Sequence, residues 1–265
     1  MKLLVLDGGM RLGNTWKLAM HVKQELLALS QDIEFEEIHL KDMELPYCLG
    51  CSNCFRKGHR SCPHNKIVQS ILDKIEACDG LIFAAPTYYM QLPALAKNLI
   101  DHLSYLFHRP RYFNKIGMVI TTTGAVGAKD MTKYLAGALV GWGFNRCYQL
   151  PVAAVSWNAY IPSEKDKRKA AAIAKRFYKT IADRKLLPPS LATVFGFNLV
   201  RGISTNYGKG AEYETQDGIF WAQEGYAKVC FAPSVPLSLF KKLIGTVSYL
   251  LGKKLSKILV VTYKK

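Results

Sequence analysis

The chain has 265 residues, of which 49% are hydrophobic, and it carries a formal net charge of +16. This length and apolar content support a packed core in one large domain, or in one domain with an appendage, and exclude a largely disordered chain. The apolar stretches are too short for a membrane-spanning helix or a secretory leader, so we expect a soluble cytoplasmic protein whose seven cysteines are ligands or core thiols rather than disulfides.

Apolar runs alternate with helical patterns along the first 187 residues. Strands are predicted at 3–6, 33–40, 81–85, 116–121 and 151–156. Helices are predicted after the glycine-rich loop 8–15, where Asn14 or Thr15 is the expected cap, and around 67–75, 95–106, 129–140 and 163–185. Strands that alternate with helices of this length indicate right-handed crossovers and a parallel sheet. We therefore predict an α/β fold, a flavodoxin-like doubly wound sheet of five strands in the order 2-1-3-4-5.

Three loops of this unit leave the first, third and fourth strands and should meet at the carboxyl edge of the sheet. Loop 8–15 is rich in glycine and precedes a helix whose unpaired N–H groups can bind a phosphate. Loop 86–93 offers two tyrosines and a methionine as a flat apolar wall, and loop 121–127 offers hydroxyl and amide groups. Each loop alone also fits an ordinary connection, but together they favour a flavin mononucleotide.

Residues 1–185 resemble, in motif order and spacing, the NADPH-dependent FMN reductase family of flavodoxin-like proteins. The family opening G-S-P-R-…-G-N-T corresponds to 8–15 here, with Gly9 and Met10 in place of Ser-Pro. The motif D-G-I-I-F-…-P-x-Y corresponds to 79–88, and K-x-x-x-D-R corresponds to 97–102, with His102 in place of Arg.

The resemblance implies FMN held without a covalent bond, NAD(P)H as the electron donor, and paired subunits. It assigns no side chain as a catalytic acid or base. The FMN-binding residues that it implies are Gly9, Met10, Arg11, Gly13, Asn14, Thr15, Trp16, Pro86, Thr87, Tyr88, Tyr89, Met90, Thr122, Thr123 and Gly124.

Four cysteines follow the second predicted strand in the pattern C-x2-C-x2-C-x7-C: Cys48, Cys51, Cys54 and Cys62. Such spacing can hold a [4Fe–4S] cluster on one loop, and it resembles the cysteine loop of iron–sulfur flavoproteins. A zinc site with nitrogen ligands from His59 or His64 and four free thiols are the alternatives, and the sequence leaves all three open. The other three cysteines, Cys78, Cys147 and Cys230, are predicted core thiols.

Residues 188–265 form a predicted, mainly helical extension that begins at the pair Pro188-Pro189. Residues 237–261 carry apolar side chains at helical spacing, and no acidic residue follows Glu224. We favour packing of this helix on the main domain or on a second subunit over contact with a membrane surface. Some flavodoxin-like family members carry a D-…-W-…-G element in a comparable tail, which Asp217, Trp221 and Gly225 resemble.

The leading functional hypothesis is an FMN-dependent oxidoreductase that passes electrons from NAD(P)H to a small-molecule or protein acceptor. The alternative is an electron carrier that binds FMN without substrate turnover. The high positive charge suggests nucleic-acid binding as a third hypothesis. No RRM, zinc-finger or helix-turn-helix signature accompanies the charge, so we expect no nucleic-acid partner.

Overall fold

A computed structural model describes residues 1–223, 226 and 228–259. Five strands form one parallel sheet in the order β2-β1-β3-β4-β5. They are β1 (Lys2–Asp7), β2 (Glu34–His39), β3 (Gly80–Pro86), β4 (Ile116–Thr123) and β5 (Arg146–Ala153). The predicted flavodoxin-like fold and its strand order are confirmed.

Ten α-helices occur in the described part of the chain. Those of the sheet unit are α1 (Asn14–Leu29), α2 (Asn53–Arg56), α3 (Asn65–Ala77), α4 (Ala94–His102), α5 (Tyr105–His108), α6 (Ala128–Gly141) and α7 (Glu164–Ala182). Those that follow it are α8 (Leu191–Ser204), α9 (Gln216–Trp221) and α10 (Leu239–Leu255).

The core lies on both faces of the sheet, because the central strands β1, β3 and β4 are buried along nearly their whole length. On one face, α1 and α7 contribute side chains such as Leu18, Val22 and Phe177. On the other face, α3, α4 and α6 contribute side chains such as Ile71 and Leu135. The sheet is therefore covered by helices on both sides, and its carboxyl edge stays open to solvent between the loops.

Two local expectations differ from the structure. The last strand begins at Arg146 rather than near 151. The prediction placed its start too late because the first residues of the strand alternate between exposed and buried, as at a sheet edge, and do not form an apolar run. Helix α1 has Gly13 as its N-cap, and neither Asn14 nor Thr15 caps it. Both of those side chains instead bond to other elements: Asn14 Nδ2 donates to Ser156 O in the loop after β5 at 2.8 Å, and Thr15 Oγ1 lies 2.5 Å from Thr122 Oγ1 at the end of β4.

The segment after α7 is helical as predicted, and α8 packs closely along α10. An aromatic cluster joins α8 and α9 to the sheet unit: the rings of Phe113, Phe197 and Phe231 contact one another, and Trp221 packs on Phe197. Asp217 and Trp221 lie in α9, whereas Gly225 falls outside the described residues. No described helix has both the length and the apolar content to cross a membrane. The division into units 1–187 and 188–265 stays a prediction.

Candidate functional site

A cavity of about 210 Å³ opens at the carboxyl edge of the sheet, where the three loops meet. Hydrogen bonds tie the loops together, since Thr87 N donates to Thr122 O and the Thr15 and Thr122 hydroxyls bond to each other. Ten of the fifteen residues implied by the resemblance line this cavity: Arg11, Gly13, Asn14, Thr15, Pro86, Thr87, Tyr88, Thr122, Thr123 and Gly124.

The polar lining of the cavity has unused hydrogen-bonding capacity. Asn14 Oδ1 and Thr87 Oγ1 are buried and have no hydrogen-bond partner among the described residues. Buried polar atoms are normally paired, so both are suited to a bound polar molecule. The first-turn N–H groups of α1 lack intrahelical acceptors, and Arg11 adds a positive charge beside them. This end of the cavity is therefore suited to an anion such as a phosphate.

Five of the residues implied by the resemblance lie outside the cavity lining. Gly9 donates its N–H to Asp7 Oδ1 at 3.0 Å, and Trp16 packs edge-on against His39 with ring centroids 4.6 Å apart. Met10, Tyr89 and Met90 are exposed, and the last two have left-handed backbone angles, with φ of 46° and 65°. Their assignment to FMN binding stays a prediction.

Asp7, a residue that sequence reasoning missed, lines the cavity from the end of β1. Its side chain is almost completely buried. Burial raises the pKa of the Asp7 carboxyl, and the Gly9 N–H and the His39 ring, whose Nδ1 lies 3.3 Å from Oδ2, oppose that rise in part. An acidic residue at the end of a buried apolar strand is the signal that could have identified it.

The loop after β5 also lines the cavity and was not predicted to do so. Ser156 accepts the Asn14 hydrogen bond through its carbonyl, and Trp157 beside it is exposed. Because β5 is parallel to its neighbours, its carboxyl end reaches the same edge of the sheet. The aromatic residue just beyond that end was the available signal.

The cysteine loop lies between α4, α5 and α9. Cys48 and Cys51 are exposed, whereas Cys54, in α2, and Cys62, after a short 3₁₀ turn, are half-buried. Burial raises the pKa of the Cys54 thiol to about 11 and also raises that of Cys62. The charges of the thiols act on one another, since Cys48 raises the pKa of both Cys54 and Cys62, and Cys51 that of Cys62. Cys48 is thus close enough to Cys54 and to Cys62, and Cys51 to Cys62, for their charges to interact.

Backbone groups favour the thiolate form of two of these cysteines. The N–H of Phe55, which donates to Ser52 O at 3.0 Å, also lowers the pKa of Cys54, and the N–H of His64 lowers that of Cys62, both against the larger effect of burial. Amide donors of this kind stabilise thiolates, the form that binds metals. Burial alone would disfavour the thiolate of Cys54 and Cys62, and these backbone groups partly offset that effect, which favours ligation of a metal or a cluster.

Two buried side chains anchor the cysteine loop. Asn98 of α4 accepts from Cys48 N at 2.9 Å and donates to the carbonyls of Leu45 and Pro46. Arg109 donates to Cys54 O, and its Nε lies 3.2 Å from Asp217 Oδ1 in α9. Sequence reasoning missed both anchors, because contacts between side chains so distant in the chain leave no local pattern.

Cys62, His64 and His102 also converge. Their ligand atoms lie within 4.8 Å of one another, and His64 Nδ1 is 3.1 Å from His102 Nε2. His102 Nδ1 contacts Asn98 O at 2.9 Å, which orients the ring. The predicted alternative ligand His59 instead stacks on Tyr105. Of the remaining cysteines, Cys78 is buried, and Cys147 and Cys230 are half-buried.

Comparison with known proteins identifies the family of the chain. The sequence model of the family described as NADPH-dependent FMN reductase matches residues 1–159. An iron-sulfur flavoprotein from Archaeoglobus fulgidus is 26% identical over 228 residues, which are 84% of this chain and 97% of that protein. An iron-sulfur flavoprotein from Clostridioides difficile is 26% identical over 204 residues, which are 77% of this chain and 89% of that protein.

Among solved structures, the apo form of the NADH:FMN oxidoreductase EMOB is similar in fold, with a TM-score of 0.50 and 20% identity over 68% of this chain and 89% of that chain. The matched residues 1–159 include all five strands and the whole lining of the cavity. The chain belongs to the NADPH-dependent FMN reductase family and is a flavin-dependent oxidoreductase.

Proposed function

We propose that this chain oxidises NAD(P)H with FMN held in the cavity at the carboxyl edge of the sheet. We further propose that a [4Fe–4S] cluster, bound by Cys48, Cys51, Cys54 and Cys62, passes the electrons on to an acceptor. The observation that carries the proposal is the convergence of three distant loops on one cavity with unpaired polar atoms at Asn14 and Thr87.

The first loop is the proposed phosphate site. Arg11 supplies a full positive charge, and the N-terminus of α1 supplies N–H donors and a partial positive charge. No acidic residue lies in the first turn of α1 to compete for them. Thr15 and Asn14 hold this loop against β4 and the loop after β5, so the donors are fixed before a ligand arrives.

The other two loops are the proposed walls around the flavin ring. Pro86 and Tyr88 supply apolar surface, whereas Thr87 and Thr122 supply polar groups beside it. FMN, when bound, supplies hydride acceptance and single-electron transfer, chemistry that no side chain here provides. The role of the chain is to orient the ring and to limit access of water, so no acid or base is assigned.

The cysteine loop has the donor set that a cluster needs. Four free thiols lie on one loop, and backbone groups of Phe55 and His64 lower the pKa values of Cys54 and Cys62. Relatives that align with most of this chain are named iron-sulfur flavoproteins, which favours a cluster over zinc. Asn98 and Arg109 hold the loop at Cys48 and at Cys54 against the helices, so its shape does not depend on the bound group alone.

Anaerobic purification and spectroscopy test the flavin and donor assignments. We expect flavin absorption bands and oxidation of NADH or NADPH with a quinone or ferric acceptor. A protein that carries flavin but oxidises neither nicotinamide would instead be an electron carrier. Colourless protein that takes up no added FMN would overturn the proposal.

The expected homodimer is tested separately by its elution in size-exclusion chromatography.

Iron analysis tests the cluster independently. Cys51→Ser should remove the bound iron and the broad brown absorbance while flavin stays bound, because Cys51 is exposed and does not line the flavin cavity. Cys230→Ser is the control, since Cys230 is isolated near α10 and should leave iron unchanged. Equal iron content in the two variants would reject Cys51 as a cluster ligand. Zinc in place of iron in the wild-type protein would show that the cysteine loop binds zinc and not a cluster.

A further inference from the structure

Helix α10 packs on α8 through its smallest residues. Gly245, Ser248 and Gly252 are the buried residues of α10. The backbones approach so closely that a Cβ on Gly252 would lie 2.4 Å from Leu199 O. The Ser248 hydroxyl donates across the pair to Phe195 O at 2.6 Å. A large side chain has no room on this side of the helix, so the large side chains of α10 must lie elsewhere.

The large apolar side chains of α10 face outward. They recur at spacings of three and four residues and so lie on one face of the helix. Leu243 is 61% exposed and Leu250 is 58% exposed, although a helix on a soluble protein usually buries such residues. We call the following residues the α10 apolar face: Leu239, Phe240, Leu243, Val247, Leu250 and Leu251.

This arrangement is the reverse of a soluble helix pair. Small residues between the helices and large apolar residues outside them are typical of helices in a lipid environment, where lipid tails contact the outer side chains. A contiguous apolar patch of this kind on a soluble protein marks an interaction site. The question is then which partner covers it.

Positive charge surrounds the α10 apolar face. Lys242 precedes its central part and Lys253, Lys254 and Lys257 follow it, while the ten residues between Lys242 and Lys253 carry no charge. No acidic residue occurs after Glu224. Lysines of this kind can reach lipid headgroups while the apolar residues enter the acyl region.

We propose that the α10 apolar face docks on the surface of a membrane that contains anionic lipid, with the helix lying in the plane of the interface. The charge distribution decides against a second copy of this chain. In a two-fold contact through α10, lysines of one copy would approach lysines of the other, with no carboxylate on the helix to pair with them. Anionic headgroups complement the same lysines.

Vesicle flotation of the full chain tests the proposal. One vesicle type is phosphatidylcholine alone, and the other contains about one third phosphatidylglycerol. We expect the wild type to float with the anionic vesicles at low salt and to lose most of its binding at high salt. Failure to float with the anionic vesicles at low salt would overturn the proposal.

The double variant Leu243→Gln, Leu250→Gln tests the apolar contribution. Both side chains are exposed, so the fold should be kept, which far-UV circular dichroism and flavin content check. The partition coefficient should fall by about a hundredfold. The control is Leu29→Gln, Ile161→Gln, at two exposed positions outside the α10 apolar face, and it should bind as the wild type does. Equal binding by the two variants would overturn the proposal.

A triple lysine change tests the charge. Lys253→Gln, Lys254→Gln, Lys257→Gln should weaken binding to anionic vesicles by at least tenfold, since each lysine near such a surface contributes about fivefold. A matched triple change at exposed lysines of α7 alters net charge equally and should have a smaller effect: Lys165→Gln, Lys169→Gln, Lys175→Gln. A wild-type dimer that the leucine variant dissociates, without vesicle binding, would assign the face to a second copy and overturn the lipid proposal.

Discussion

Arg109 and Asp217 form a buried ion pair that connects the cysteine loop to the helices after the sheet unit. The Arg109 Nε lies 3.2 Å from Asp217 Oδ1, and the same guanidinium donates to Cys54 O. Burial lowers the pKa of Arg109, and the charge of Asp217 opposes that effect. His108 adds a second contact, with Nδ1 2.7 Å from Asp217 Oδ2. A single carboxylate thus holds two successive residues beside the cysteine loop.

Asp217→Ala should destabilise the fold by about 3 kcal/mol, because it leaves the Arg109 cation buried without its partner. Urea denaturation at neutral pH measures the loss. The control is Asp101→Ala, which breaks the exposed Lys97–Asp101 pair and should cost less than about 1 kcal/mol. Similar losses of unfolding free energy in the two variants would show that the buried pair contributes no more to stability than the exposed pair.

Arg11→Gln should weaken FMN binding by about tenfold, because it removes a charged contact to the phosphate. Riboflavin, which lacks the phosphate, should bind the variant and the wild type almost equally. Titration followed by flavin fluorescence measures both affinities. Arg146→Gln at the opposite, amino end of β5 is the control and should change neither. A loss of riboflavin affinity as large as the loss of FMN affinity would place Arg11 away from the phosphate.

Asp7→Asn should be more stable than the wild type at neutral pH. Burial raises the pKa of Asp7 above 3.8, so folding favours the protonated carboxyl, and that contribution to stability is lost as the pH rises through the folded pKa. Each unit of that rise corresponds to about 1.4 kcal/mol.

The stability advantage of Asp7→Asn should shrink as the pH falls toward 4 and disappear below 3.8, where Asp7 becomes protonated in the unfolded chain as well. Thermal denaturation over this pH range measures it. Asp42→Asn, at an exposed carboxylate paired with Lys41, is the control and should show no such trend. A variant less stable than the wild type at neutral pH would mean that the His39 and Gly9 contacts outweigh burial.

Gly252→Ala should destabilise the chain by about 2–3 kcal/mol, because the new Cβ would overlap Leu199 O and force α10 away from α8. Gly196→Ala in α8 is the matched control, because a Cβ added there would have no described heavy atom of a neighbouring element within 4 Å. That change should be neutral or should stabilise by up to about 1 kcal/mol, since alanine favours the helix. Chemical denaturation compares the two, and equal effects would contradict the close approach.

Local patterns were enough to predict the sheet and three walls of the cavity. A buried run such as 81–85 identifies a strand, and the parallel arrangement then places the residues after each strand at one edge. Ser156 and Trp157 follow the same rule, but β5 starts with alternating residues and its boundary was placed too late. Asp7 was missed because it lies between the predicted strand 3–6 and the predicted loop 8–15 and was assigned to neither.

Contacts between distant side chains could not be predicted in the same way. Asn98 and Asp217 have no motif, since their roles depend on how α4 and α9 approach the cysteine loop. The helical period in α10 was recognised, but a period does not tell which face is buried. Two faces of α10 repeat at helical spacing, and the face with Gly245 and Ser248 is the one that packs.

Helix α4 starts directly after the tyrosine loop, and its Asn98 holds the backbone of Cys48 about one turn further on. The loop proposed to contact the flavin and the loop proposed to bind the cluster therefore both adjoin the same helix, α4. Because one helix adjoins both loops, a substitution that displaces α4 would disturb both proposed sites together.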